Sequence, residues 1–500
     1  MNLYRRFAAA AEDCLDACAF RVPGGPDWSH RALHKAVIDC ARVLADAGVA
    51  SGDRVTVQIE KSVMNVVLYL AVLRVGAVFM PLNTAYTEAE LAYFLEDAEP
   101  SVLVCDPARE RELDPLRIRL GVRALFTLDA AGEGSLITAA RQVAGPTTAS
   151  IAEREDDDLA AIIYTSGTTG RSKGAMLTHG NLYANAATLR EIWGWRRDDV
   201  LLHALPIYHV HGLFVALHCA LLEPSPVILL AKFDVAVVQR ELPHATVMMG
   251  VPTFYGRLLA EDRFTAASCR AMRLFISGSA PLLPETFAAF EARTGQRILE
   301  RYGMTEAGMI TSNPLDGDRI AGSVGYPLPD VEVRLRSPDG EPVAGGAVGV
   351  LEIRGPNVFK GYWRQPERTQ AEFRDGWFVT GDLAEQDASG RISIVGRHKD
   401  LIISGGLNIY PREVEEELDA LPGIEEAAVI GVPHADFGEA VVAVVVAADD
   451  WPGEAQVIAR LKQRLASFKV PRRVVRVSEL PRNAMGKVQK NLLRQEHGGS

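Results

Sequence analysis

The stretch Tyr164-Thr-Ser-Gly-Thr-Thr-Gly-Arg-Ser-Lys-Gly174 gathers glycines, hydroxyls and a lysine between two apolar runs, Leu159–Ile163 and Ala175–Thr178. Gly167, Gly170 and Gly174 let backbone N–H groups converge without a Cβ in the way. Thr165, Ser166, Thr168 and Thr169 add hydroxyl donors, and Lys173 adds positive charge. Donors gathered beside a cation suit a polyphosphate. The pattern is not a Walker A loop, where Gly-Lys-Ser/Thr opens a helix, because Lys173 is followed by Gly174. A polar hairpin turn is the alternative.

Further clusters follow in order. His209 and His211 flank one valine in Leu205-Pro-Ile-Tyr-His-Val-His-Gly212, so on a strand they would share a face. A pair without a nearby carboxylate favours satisfied core histidines over a metal site. Arg257 stands among apolar residues in Gly250-Val-Pro-Thr-Phe-Tyr-Gly-Arg-Leu258. It is either a helix-surface arginine or a guanidinium placed to hold an anion bidentately. Small residues in Ser277-Gly-Ser-Ala-Pro281 would let a flat ring approach the backbone. In Glu300-Arg-Tyr-Gly-Met-Thr-Glu306, Tyr302 offers an aromatic face, Thr305 a phosphate donor and Glu306 a carboxylate for Mg²⁺. A helix start capped by Thr305 would also explain that segment. Asp382, after Gly381, suits two ribose hydroxyls, and Arg397 offers a second contact to ribose or phosphate. Lys487 lies in Pro481-Arg-Asn-Ala-Met-Gly-Lys487 and would otherwise be a tail lysine.

These motifs, from YTSGTTGRSKGAM to Lys487, resemble in order the signatures of the AMP-forming adenylating superfamily: acyl-CoA synthetases, peptide adenylation domains and luciferases. The resemblance covers nearly the whole chain. It implies ATP contacts at Thr165, Ser166, Gly167, Thr168, Thr169, Gly170, Lys173, Ala280, Pro281, Glu300, Arg301, Tyr302, Gly303, Met304, Thr305, Asp382 and Arg397. It implies an acid pocket with His209, His211 and Ser279, catalytic roles for Lys487, Thr305, Glu306 and His209, and Mg²⁺ on Glu306. It also implies a coenzyme A tunnel bordered by Ser404, Gly405 and Gly406 and a hinge at Lys399.

ATP and a carboxylate repel each other, so joining them requires neutralised charge and an aligned attack on the α-phosphorus. No G-x-S-x-G nucleophile elbow is present, and none is needed for that step. Arg257, Ser279, His209 and His211 at the expected acid pocket suit a small acid with a second carboxylate, and there the resemblance narrows to malonyl-CoA synthetases. The expected reaction converts malonate (methylmalonate in some members), ATP and CoA to malonyl-CoA, AMP and pyrophosphate. Oxalate or a short monocarboxylate is the near alternative. A loader of a separate carrier protein is a further one, and a non-catalytic nucleotide-binding regulator comes from a different class. A protein acetyltransferase acting on Lys487 would remove the charge that adenylation uses.

The elements that must position these residues show the periodicity of a doubly wound protein. An amphipathic helix over 29–50, a strand at Arg54–Ile59, a helix from Met64 to Val75 and strands at Val78–Pro81 and Ser101–Asp106 alternate as in a parallel sheet. The alternation resumes from 159 to about 330, with strands at Val200–Ala204, Pro226–Leu230, Ala245–Gly250 and Leu274–Ser277. Residues 331–396 change to short strands and tight turns, which predicts an antiparallel β unit. The segment after Arg397 reads as a compact α+β unit. The expected organisation is α/β: a large N-terminal domain, 1–398, and a small mobile C-terminal domain, 399–500.

A length of 500 residues requires more than one core. A net charge of −11 speaks against nucleic acid as a partner. Six scattered cysteines without a Cys-x-x-Cys pair favour free thiols, and Cys14 and Cys18 would share one face of a helix spanning Leu3–Ala19. No run reaches the ~18 apolar residues of a membrane span, and the acidic residues Glu12, Asp13 and Asp16 break any leader-like run. A cytoplasmic protein without a membrane partner is the resulting expectation.

Overall fold

The computed structural model describes residues 1–142, 150–165, 172–404, 407–434, 437–449, 451–465, 467–483 and 486–498. Among them, two large sheets carry most of the N-terminal part. In one, the parallel strands Leu159–Thr165, Val78–Pro81, Arg54–Gln58, Val102–Cys105 and Ala124–Thr127 lie in that order. The antiparallel strand Lys173–Thr178 extends the edge. Both faces are covered, so these strands read as continuous apolar runs. In the other sheet, Leu299–Met304, Leu274–Ser277, Val247–Gly250, Leu201–His203, Val227–Leu229 and Cys18–Arg21 are parallel neighbours.

One core joins the two sheets and includes Val55, Phe79, Leu201 and Val247. The helix Val63–Arg74 lies inside it. Its sequence VMNVVLYLAVLR is apolar on all sides, and every residue except Met64 is buried, as a helix without a polar face must be. Ser62 caps its N-terminus by accepting from the Asn65 N–H.

The antiparallel unit pairs Glu332–Arg336, Gly349–Arg354, Trp377–Gln386 and Ile392–Arg397. A short turn of helix, His398–Asp400, leads from it into the smaller α+β part. There Ile402–Ser404, Gly438–Ala447, Ile424–His434 and Arg473–Val477 form one sheet over its own core. The fold is thus a large α/β domain of mostly parallel sheets followed by a smaller domain.

The expected helix Leu3–Ala19 is corrected. Leu3, Tyr4 and Phe7 are buried on a helix that stops at Ala10, and Cys18–Arg21 instead pairs with Val227–Leu229 as a strand. Tertiary pairing overrides the local alanine-rich preference there. Cys14 and Cys18 therefore do not share a helical face. All six cysteines are free thiols. No helix among the described residues is long and apolar enough to cross a membrane.

Candidate active site

Four parallel neighbours, Leu201–His203, Val247–Gly250, Leu274–Ser277 and Leu299–Met304, end on the same edge of their sheet. The segments that leave those ends carry His209 and His211, Arg257, Ser279 to Pro281, and Thr305 to Glu306. Crevices outside the carboxyl ends of parallel strands are where open α/β sheets bind ligands.

His211 is 1% exposed, and its Nδ1 lies 3.1 Å from Ser279 Oγ. The His211 N–H donates to His209 Nδ1 at 3.4 Å, which leaves Nε2–H as the donor of His209. Burial, with help from the Lys487 and Arg301 charges, pushes His209 down to about 3. Both rings are therefore neutral at pH 7 and present dipoles rather than charge. Ser279 holds φ +72°, the left-handed region that a serine adopts only when its surroundings impose it.

Arg301 supplies the local charge. It is 2% exposed, and its Nε and Nη2 have no hydrogen-bond partner among the described residues. Its guanidinium lies against Gly278, where an added Cβ would come within 2.4 Å of Nη1. Burial lowers it to about 9, so it remains cationic at neutral pH. Arg257 stands exposed on the helix Pro252–Leu259, with Tyr255 and Leu258 turned to the core, and it has no ion-pair partner among the described residues. Arg273, at the opposite end of its strand, binds Asp199 through Nε at 2.6 Å and Nη2 at 2.5 Å. That pairing commits it to structure.

On the other side of the crevice, Asp382 and Arg397 are opposite each other in the antiparallel ladder. Arg397 Nε lies 2.6 Å from Asp382 Oδ1, and the Tyr302 hydroxyl donates to Asp382 Oδ2. Glu306 is buried, and its Oε1 accepts from the Tyr362 hydroxyl at 3.0 Å. The same hydroxyl lies 2.7 Å from Glu372, whose other oxygen is 2.8 Å from Lys173 Nζ. Lys173 also stands 4.2 Å above the Tyr362 ring. The helix start capped by Thr305 does not form, because Leu299–Met304 and Gly308–Ser312 are strands of a hairpin.

Lys487 comes from the C-terminal domain and faces this cluster. It keeps exposed surface, yet protein atoms crowd it. That crowding and Arg397 lower its proton affinity, Asp382 and Glu306 oppose the shift, and Arg301 adds to it. Thr165 pairs with Lys173 at the base of the hairpin. Ser166, Gly167, Thr168, Thr169 and Gly170, and also Gly405 and Gly406, lie outside the described residues. Ser404 is the buried last residue of the strand Ile402–Ser404 of the smaller domain.

Residues 7–363 match the family model of the AMP-binding enzymes, and 413–487 match the model of the AMP-binding enzyme C-terminal domain. The chain belongs to the AMP-binding enzyme family. It is an AMP-forming acid–thiol ligase, and enzymes of this type use ATP and CoA. It is similar to the ATP-bound MatB structure from Rhodopseudomonas palustris, with 50% identity and a TM-score of 0.97 over 100% of this chain and 99% of that one. The mitochondrial malonate–CoA ligase ACSF3 of Mus musculus is 39% identical over 89% of this chain and 82% of its own. A feruloyl-CoA synthase of Amycolatopsis is 38% identical over 95% of each.

Two partners in the site escape sequence reasoning. Tyr362 lies inside FKGYWR, so its motif could have marked it. Glu372 sits in a polar helical stretch with nothing to signal that it meets Lys173, 199 residues earlier. Arg301 groups with the nucleotide residues by sequence, whereas its guanidinium lies on the histidine side, against Gly278.

Proposed function

We propose that this ligase joins malonate to coenzyme A through a malonyl-adenylate, with methylmalonate as a second substrate. The observation that carries this reading is Arg301, a buried guanidinium with two donors unpaired, beside His209, His211 and Ser279. A buried charge without a partner is costly, and the distal carboxylate of a small diacid would complete it. Arg257, exposed on the helix Pro252–Leu259, is a second candidate for the same anion. A bulky aromatic acid such as the one named for the Amycolatopsis relative would leave Arg301 unpaired. The mouse relative and the malonate–CoA ligase of Arabidopsis thaliana, 36% identical over 84% of this chain, support the choice.

In the first step the carboxylate oxygen attacks the α-phosphorus and pyrophosphate leaves. Lys487, the Thr305 hydroxyl, His209 as a neutral donor and the glycine-rich segment hold the developing charge, while Asp382, Arg397 and Tyr302 orient the nucleoside. Among the described residues no three His, Cys, Asp or Glu side chains cluster as a metal cage. One buried carboxylate, Glu306, nevertheless fits Mg²⁺, which takes few protein ligands and several phosphate and water oxygens. The ion would add positive charge beside the phosphates. In the second step the thiol sulfur of CoA attacks the acyl carbonyl, AMP leaves and the thiol proton is released. For that step Lys399 would serve as the pivot and Ser404, Gly405 and Gly406 would line the thiol's approach. Acetylation of Lys487 by a protein acetyltransferase would stop the first step.

The test is AMP release dependent on ATP and CoA across malonate, methylmalonate, succinate, oxalate, acetate, ferulate and octanoate. Malonate should lead in kcat/KM by orders of magnitude. A lead by ferulate, acetate or octanoate would sink the malonate assignment and leave the ligase class intact.

A further inference from the structure

Lys61 is a buried lysine whose contacts, among the described residues, are to a histidine rather than to a carboxylate. It follows the strand Arg54–Gln58 and precedes Ser62, the cap of the helix Val63–Arg74. Lysine is seldom buried unless paired with an acid. Here Nζ lies 2.8 Å from His203 Nδ1 and 2.9 Å from the His203 carbonyl oxygen. Burial holds the amine well below the usual lysine range. The amine donates to both acceptors, the ring nitrogen and the carbonyl oxygen. His203 ends the strand Leu201–His203, so the contact ties the carboxyl edges of the two large sheets together.

The second ring nitrogen of His203, Nε2, lies 2.9 Å from the Gly212 carbonyl oxygen. A carbonyl only accepts, so Nε2 carries the hydrogen and Nδ1 turns its lone pair to Lys61. Gly212 is the second residue of a π-helical turn, His211–Leu217, a form that collects at functional sites. The turn has no slack there: a Cβ on Gly212 would lie 2.1 Å from the Pro206 carbonyl oxygen. The residue before Gly212 is His211, the partner of Ser279 and the N–H donor to His209.

We propose that Lys61 is a positioning residue of the acid pocket. By donating to His203 Nδ1 it fixes that ring as the Nε2–H tautomer, and the ring holds the Gly212 carbonyl and, through it, the His209–His211 turn against Ser279. Without Lys61 the ring is free to turn a bare nitrogen toward the carbonyl, and the turn loses its anchor. The inference rests on the acid-pocket reading given above.

The test uses the full-length enzyme with ¹⁵N-labelled histidine. Wild type should show His203 as the Nε2–H tautomer, and Lys61→Met should move it toward Nδ1–H. The same variant should raise KM for the acid that leads the panel roughly tenfold and leave KM for ATP within about twofold. Adding His203→Gln, whose amide donates to the Gly212 carbonyl unaided, should recover most of that loss, and adding His203→Phe should not. If Lys61→Met does not fold, the single variants His203→Gln and His203→Phe carry the test, with the acid KM rising only in the second. An unchanged tautomer in Lys61→Met, or equal acid KM in the Gln and Phe variants, overturns the proposal. The ratio is read with whichever acid leads, so a wrong assignment of malonate shows in the panel and not in this result.

Discussion

Arg301 and Arg257 meet solvent very differently, and their substitutions should separate accordingly. Arg301 is enclosed beneath Gly278, whereas Arg257 stands on an exposed helical turn. Arg301→Ala should raise the malonate KM by the loss of an enclosed charge-assisted pair, about 2–5 kcal/mol, with the ATP KM little changed. Arg257→Ala should cost less, because water screens its site; steady-state kinetics on both variants, with a melting curve to verify folding, makes the comparison. Glu300 gives a second expectation at this scale. Burial pushes its carboxyl up from 4.5 to about 7, against the opposing Leu282 N–H. Between those values the folded chain holds a proton that the unfolded chain has released, so stability falls as pH rises across that window. The group alone contributes a loss of about 3 kcal/mol, and Glu300→Gln should flatten urea-unfolding stability between pH 4.5 and 7. The candidate site residues stand out in the sequence because they cluster in short segments of unusual composition. The partners that neutralise them do not, because Glu372 and Tyr362 reach Lys173 only through the folded chain.

The strands were legible as elements wherever both of their faces are covered, because four or five apolar residues in a row between turns leave little choice. The antiparallel unit between Glu332 and Arg397 was legible from its turns, and its register puts Asp382 opposite Arg397. The first twenty residues were not, since the strand Cys18–Arg21 depends on pairing with the distant strand Val227–Leu229 on one side and Trp28–Ser29 on the other. Arg273 shows the same dependence on distant partners. It opens a central strand and closes on Asp199, whose side chain is fully enclosed, with further bonds to the Trp193 and Gly194 carbonyls. Arg273→Ala leaves that carboxylate buried without its counter-ion. Such a loss costs about 3–5 kcal/mol, so the urea midpoint should drop while the KM values of the surviving folded enzyme stay near wild type. A midpoint within error of wild type would mean that Asp199 is satisfied without Arg273.

In the whole molecule, Lys487 is turned toward Glu306, Asp382 and Arg397, the arrangement suited to adenylate formation. In the proposed cycle, delivery of the thiol would use a second arrangement about Lys399. Lys399→Pro would stiffen the short helical turn His398–Asp400. Pyrophosphate exchange should then persist, while CoA-dependent AMP release falls roughly tenfold or more; equal loss of both activities would argue against a pivot there. Two arginines hold the present arrangement across the joint: Arg412 donates to the Ile394 carbonyl, and Arg494 Nη2 lies 2.8 Å from Asp400 Oδ1. Arg412 reaches back to the last strand of the larger domain, and Arg494 to the connecting turn His398–Asp400. For anyone splicing domains between relatives, this makes the joint a socket with two prongs. A donor domain grafted after Asp400 keeps Asp382 and Arg397 of the recipient, but it must bring its own arginines at both positions or it will seat loosely, however well its own core is packed.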